Sequence, residues 1–135
     1  MDLTEHFTLQ EFEHSAIAQE LEIDNRMPPQ YIPAALNLCR KVLEPLRQHF
    51  DCPVVINSGY RCPELNRAVG GVRNSQHQTG QAADIPFTNG WMEWIADNTD
   101  FDQLILESSG DNRWIHVSCC PEPYLNRYQV FRSQQ

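Results

Sequence analysis

Apolar residues in the first third of the chain recur at helical spacing. Leu9 and Phe12 give residues 9–14 a small apolar face, and Thr8 followed by Glu11 forms the capping box that opens this helix. Residues 16–21 make a second short helix, and residues 24–29 a loop whose Pro28-Pro29 pair marks the next helix start. Over residues 30–50, Ile32, Ala35, Leu36, Cys39, Val42, Leu43, Leu46 and Phe50 fall three and four apart. This is the longest amphipathic signal in the chain. Pro45 is expected to kink or break the last turn of that helix, because it has no N–H and its ring crowds a carbonyl one turn back.

After residue 53 the pattern shortens. Residues 54–57 are a β-branched run that reads as a buried strand, and residues 63–69 a short helix stopped by Gly70-Gly71. A polar loop over 72–81 leads to a second strand at 82–85, ended by Pro86. Residues 91–96 carry Trp91, Trp94 and Ile95 on one helical side. Residues 101–107 and 114–118 read as strands bracketing a polar turn at 108–113, with a final strand at 128–132. Helices followed by a small, mostly antiparallel sheet predict an α+β fold, as one domain over residues 1–135.

Composition narrows the class. With 41% apolar and 21% charged residues, collagen, low-complexity disorder and coiled coil are excluded. No run of 18 apolar residues is present, so no membrane insertion is expected. The acidic start Met1-Asp2-Leu3-Thr4-Glu5 is not a secretory signal, which predicts a chain that is cytoplasmic as synthesised. The net charge is −8 and Lys41 is the only lysine, so the basic stripe that nucleic-acid binding needs is missing. Five cysteines without a CxxC pair read as reduced thiols. The adjacent Cys119 and Cys120 fit a vicinal disulfide or a metal site, but more simply two small side chains at a strand end.

Three residues have the chemistry of a metal site. His77 and Asp84 are separated by a glycine turn and two alanines, and His116 interrupts the apolar strand Trp114-Ile115-His116-Val117-Ser118. Two imidazoles and a carboxylate suit a catalytic zinc, which keeps a fourth position open. Plainer alternatives stand beside this: a hydrogen-bonded core histidine and a capping aspartate. If the hairpin pairs Glu107 with Trp114, then Glu107 and His116 share a face as diagonal neighbours, roughly 7–8 Å apart. Glu107 could then serve as a base, or simply be solvated at the hairpin end. Arg61, in Ser58-Gly59-Tyr60-Arg61, follows the first strand and suits a clamp on a carboxylate or oxyanion, or else a surface salt bridge.

Taken together and in this order, Ser58-Gly59-Tyr60-Arg61, the SxHxxGxAxD pattern of residues 75–84 and Trp114-Ile115-His116-Val117-Ser118 resemble one family. It is the zinc D-alanyl-D-alanine carboxypeptidase and peptidoglycan endopeptidase family, the fifteenth of the metallopeptidases. Phe7-Thr8-Leu9-Gln10-Glu11-Phe12 and Val69-Gly70-Gly71-Val72 resemble its small single-domain branch, which includes phage endolysins. The resemblance implies the α+β fold shared with hedgehog signalling domains. It also implies one Zn²⁺ per chain held by His77, Asp84 and His116, with Ser75 and Gly80 shaping the loop that presents His77. Arg61 would bind substrate and stabilise the transition state.

Many relatives carry the catalytic glutamate three residues before the last histidine. Here that position is Arg113, and Glu107 is the substitute the resemblance implies. The implied activity is hydrolysis of peptidoglycan stem or cross-link peptides at D-residues by a monomer. Release to the cell wall, or action on recycled wall fragments, would bring enzyme and substrate together. The alternative is a zinc-containing module that binds peptide or cell wall without cutting it, or a structural phage component.

Overall fold

The computed structural model describes residues 1–134. A ribbon of β1 (Asp2–Thr4) and β2 (Phe7–Thr8) leads into α1 (Leu9–Glu13). Thr8 Oγ1 accepts from the Glu11 N–H while the Glu11 carboxylate accepts from the Thr8 N–H, which is the expected capping box. In α2 (Ala16–Glu20), Ser15 caps the first turn through the Ala18 N–H. Both helices stop one residue earlier than the pattern predicts.

The long amphipathic segment opens with a 3₁₀ turn, Pro29–Tyr31, and continues as α3 (Ile32–Leu38), a π-helical stretch Cys39–Leu43, and α4 (Glu44–Phe50). The expected break in the last turn is not found. The irregularity lies ahead of Pro45 instead, where the Glu44 N–H reaches back to the Cys39 carbonyl rather than to that of Arg40. Widening the turn there accommodates a proline that can neither donate nor tolerate a close carbonyl. Leu38, Val42, Leu43 and Leu46 are all fully buried along this segment, each worth roughly 1.5–3 kcal/mol of burial.

Residues 54–57 correct a second expectation. Val54 and Ile56 are buried and Val55 is exposed, but no ladder forms. The segment touches the sheet at one point: the Asn57 N–H donates to the Asp84 carbonyl, and the Asp84 N–H to the Ser58 carbonyl, both at 2.8 Å. Alternating burial alone reproduces the hydrophobic signature of a strand without the pairing. The chain then forms α5 (Pro63–Ala68), which closes at Gly70 with φ +72°.

The sheet comprises β3 (Ala82–Pro86), β4 (Gln103–Ser109), β5 (Asn112–Ser118) and β6 (Gln129–Gln134), in the order β3-β5-β4-β6. Helix α6 (Trp91–Asn98) connects β3 to β4. The β4–β5 turn is shorter than expected, because Ser109 pairs with Asn112 around Gly110-Asp111, where Gly110 takes φ +61°. The register is the expected one: Glu107 faces Trp114 and Ile105 faces His116. β6 departs from the antiparallel pattern by running parallel to β4.

Strand alternation divides this α+β fold into two working faces. Ala83, Ile85, Leu104, Ile115 and Val117 are fully buried on the face packed against the helices. On the opposite face the pairing aligns Asp84, His116, Ile105 and Phe131 in one row, and Pro86, Trp114, Glu107 and Ser133 in the next. Among the described residues no helix is long and apolar enough to cross a membrane.

Candidate metal centre

Two glycines position the first histidine. A Cβ on Gly59 would lie 2.7 Å from Phe12 Cα, so only glycine lets this loop press against α1, where the Tyr60 N–H bonds the Phe12 carbonyl at 2.7 Å. The Gly59 carbonyl in turn sits 2.7 Å from His77 Nδ1. His77 rides on a 3₁₀ turn, Gln76–Thr79, and its own N–H is capped by Ser75 Oγ at 3.2 Å. The turn ends at Gly80, with φ +76° and space for no side chain, since a Cβ would meet the Tyr31 carbonyl at 2.7 Å. The expected role of Ser75 and Gly80 in shaping this loop has a direct geometric basis.

His77, Asp84 and His116 converge. Their ligating atoms all lie within 4.8 Å of one another, and all three residues are buried. His77 Nε2 is 3.2 Å and His116 Nδ1 3.1 Å from the same oxygen, Asp84 Oδ1. The His77 and His116 rings meet edge to face at 5.1 Å.

The protonation states favour a cation at this point. Burial pushes the His77 imidazole below its usual value, favouring the neutral ring. A carbonyl oxygen only accepts, so His77 Nδ1 carries the ring proton and Nε2 presents a bare lone pair. Burial alone would raise the Asp84 carboxyl, but the His77 and His116 imidazoles beside it hold it well below the usual carboxylate range. A lone pair thus faces a carboxylate oxygen across 3.2 Å, an arrangement that a divalent cation between them relieves. The donor set of two imidazoles and one carboxylate fits zinc.

Arg61 and Glu107 flank the cluster. The Arg61 N–H donates to the His77 carbonyl, Nε to Ser58 Oγ at 3.1 Å, and one terminal nitrogen lies 3.4 Å from Asp84 Oδ2. Its guanidinium therefore borders the ligand set on the β3 side. Glu107 Oε1 lies 3.6 Å from His116 Nδ1, with only 15% of the side chain exposed, so it is not the solvated hairpin end of the plainer alternative. Arg113 is three residues from His116, an odd offset that turns it to the other face, where its guanidinium stacks over Phe87 at 4.1 Å. All five candidate residues line one cleft of about 640 Å³.

Some supporting residues escape the sequence patterns. Asn25, buried, donates to the Glu13 and Tyr60 carbonyls and accepts from the Cys62 N–H, which ties the Arg61 loop to the N-terminal helices. Asp102 is 1% exposed and accepts from Gln76 Nε2, beside His77, and from the backbone and side chain of Arg127. Cys119 and Cys120 are free, buried thiols; burial pushes Cys120 up to about 11. Cys119 donates to the Asp100 carbonyl, consistent with packing and not with a disulfide.

The Asp102 node yields a stability prediction. The Arg127 hydrogen bond pulls its carboxyl down to about 2, so its contribution is complete above the unfolded value near 4 and is lost as pH falls from about 4 to 2. Because Arg127 is half exposed, the pair is worth on the order of 1–2 kcal/mol. Asp102→Asn should lose that amount in urea unfolding at pH 7 and flatten the acid limb of the stability profile. An unchanged urea midpoint would contradict it.

In this α+β fold, three residues that could hold a metal ion thus line one cleft. The chain belongs to the Peptidase M15 family, whose model matches residues 5–118, and is by that membership of the zinc metallopeptidase class. No curated protein matches the chain.

Proposed function

We propose that the protein hydrolyses peptide bonds of peptidoglycan stem or cross-link peptides at D-amino-acid residues, using one zinc ion held by His77 Nε2, His116 Nδ1 and the Asp84 carboxylate. The observation that carries this reading is the position of Glu107, on the same face as the ligand cluster and 3.6 Å from His116. A zinc ion bound there supplies Lewis acidity, polarising a carbonyl and acidifying water. Glu107 Oε1 accepts the proton of the attacking water and hands it to the leaving amine. Arg61, fixed by Ser58, Asn66 and Asp84, offers the N–H groups those contacts leave over to a substrate carboxylate or to the developing oxyanion. Asp84 keeps its charge beside Arg61 and the histidines, and the Gly59 carbonyl keeps the proton of His77 on the nitrogen away from the ligand position.

The substrate lies in a cleft walled by Gly70, Gly71 and Val72 as well as by the sheet. The protein would act as a monomer, without nucleic acid or an inserted membrane segment, on wall peptides it reaches by release or on recycled fragments. Mass spectrometry of defined stem and cross-bridge peptides, incubated with zinc-loaded protein, should reveal a product with a new terminus at a D-residue. No product across that set, with zinc verified as bound, would replace this reading with that of a peptide-binding module.

A further inference from the structure

The family match ends at Ser118, yet the cleft does not. Its far wall is β6, which lies wholly beyond the matched residues and places Phe131 and Ser133 on the site face beside Ile105 and Glu107. Asp84, His116, Ile105 and Phe131 are successive partners across the sheet, with Arg61 bordering the Asp84 end. At a strand spacing of about 4.8 Å, Phe131 stands roughly 10 Å from His116 along this row.

We propose that Phe131, with Ile105, forms a specificity subsite for an apolar side chain of the bound peptide, on the side of the metal ligands opposite Arg61. This rests on the peptidase reading above. A bond held over the ligand row sets a side chain about three residues from it onto Phe131, given roughly 3.4 Å per extended residue. Phe131 is 43% exposed, so a large aromatic surface remains for a ligand to cover, whereas Ile105 beside it is buried. The row thus has polarity: guanidinium at one end, aromatic at the other.

The wall is built to hold its place. β6 begins where the Gln129 N–H bonds the Asp102 carbonyl at 2.9 Å, and Gln103 Nε2 bonds Gln129 Oε1 at 3.0 Å. The Asp102 carboxylate anchors Arg127 just before the strand and Gln76 beside His77. One buried acid therefore fixes the spacing between the subsite and the metal-bearing turn, as a specificity pocket requires.

The test is calorimetric binding of D-alanyl-D-alanine peptides to zinc-loaded Glu107→Gln protein, with the side chain about three residues from that bond varied among leucine, serine and glutamate. Leucine peptides should bind about tenfold more tightly than serine peptides. The difference should shrink below twofold in Phe131→Ala and in Phe131→Thr, a strand former that guards against a folding defect, and persist in Phe131→Leu. Val130→Ala, on the other face of β6, should leave it intact. No leucine preference, no binding of any peptide, or a preference that survives Phe131→Ala and Phe131→Thr would each overturn the subsite. Parallel turnover by the unaltered protein separates the two readings. Cleavage without leucine preference would remove the subsite and leave the peptidase, while Phe131-dependent binding without cleavage would do the reverse.

Discussion

His116→Ala protein should be isolated without zinc, whereas the unaltered chain should carry close to one ion. His116 Nδ1 and His77 Nε2 converge on a single Asp84 oxygen at 3.1 and 3.2 Å, so removing either imidazole leaves only two ligands, one imidazole and the buried carboxylate. Residues that merely orient zinc ligands already change affinity by roughly 10–100-fold, and loss of a ligand should exceed that range. Elemental analysis after dialysis against a weak chelator reads the outcome directly. Zinc bound to the native state also stabilises it by mass action, so chelation should lower the melting temperature of the unaltered protein and leave that of His116→Ala unmoved. Equal zinc content in both proteins would remove His116 from the ligand set.

What the sequence revealed of this site depended on local rules. The register that places Glu107 and His116 on one face follows from a glycine-containing turn between two apolar strands, and the observed pairing of Glu107 with Trp114 is the one that pattern predicts. The α1 capping box was legible for the same reason, since Thr8 and Glu11 lie one turn apart. Residues 54–57 misled because burial of Val54 and Ile56 imitates a strand, while pairing depends on what lies alongside. Pro45 misled because a helix can widen ahead of a proline as well as break after it. Asp102 left no signature at all: its partners Gln76 and Arg127 lie 26 and 25 residues away, on either side of it. The parallel course of β6 was equally hidden, so the far wall of the cleft emerged only in three dimensions.

Glu107→Gln should keep its zinc and its fold and lose about three orders of magnitude in turnover. The replacement preserves side-chain length and a hydrogen-bonding end, so the packing of a side chain that is 15% exposed is little disturbed. It removes the one property the proposed reaction takes from this residue, the capacity to hold a proton between water and leaving amine. Positioned bases contribute roughly 10²–10⁴-fold, and here one group serves both proton transfers, which sets the expectation within that range. KM should change only a few-fold, because Arg61 and the cleft walls remain, so the loss falls on kcat. Arg113 offers no substitute, being turned to the opposite face over Phe87. Near-normal turnover by Glu107→Gln on a verified substrate would move the base elsewhere. Lost turnover accompanied by lost zinc would instead make Glu107 a ligand, since 3.6 Å from His116 Nδ1 is also within reach of a shared ion.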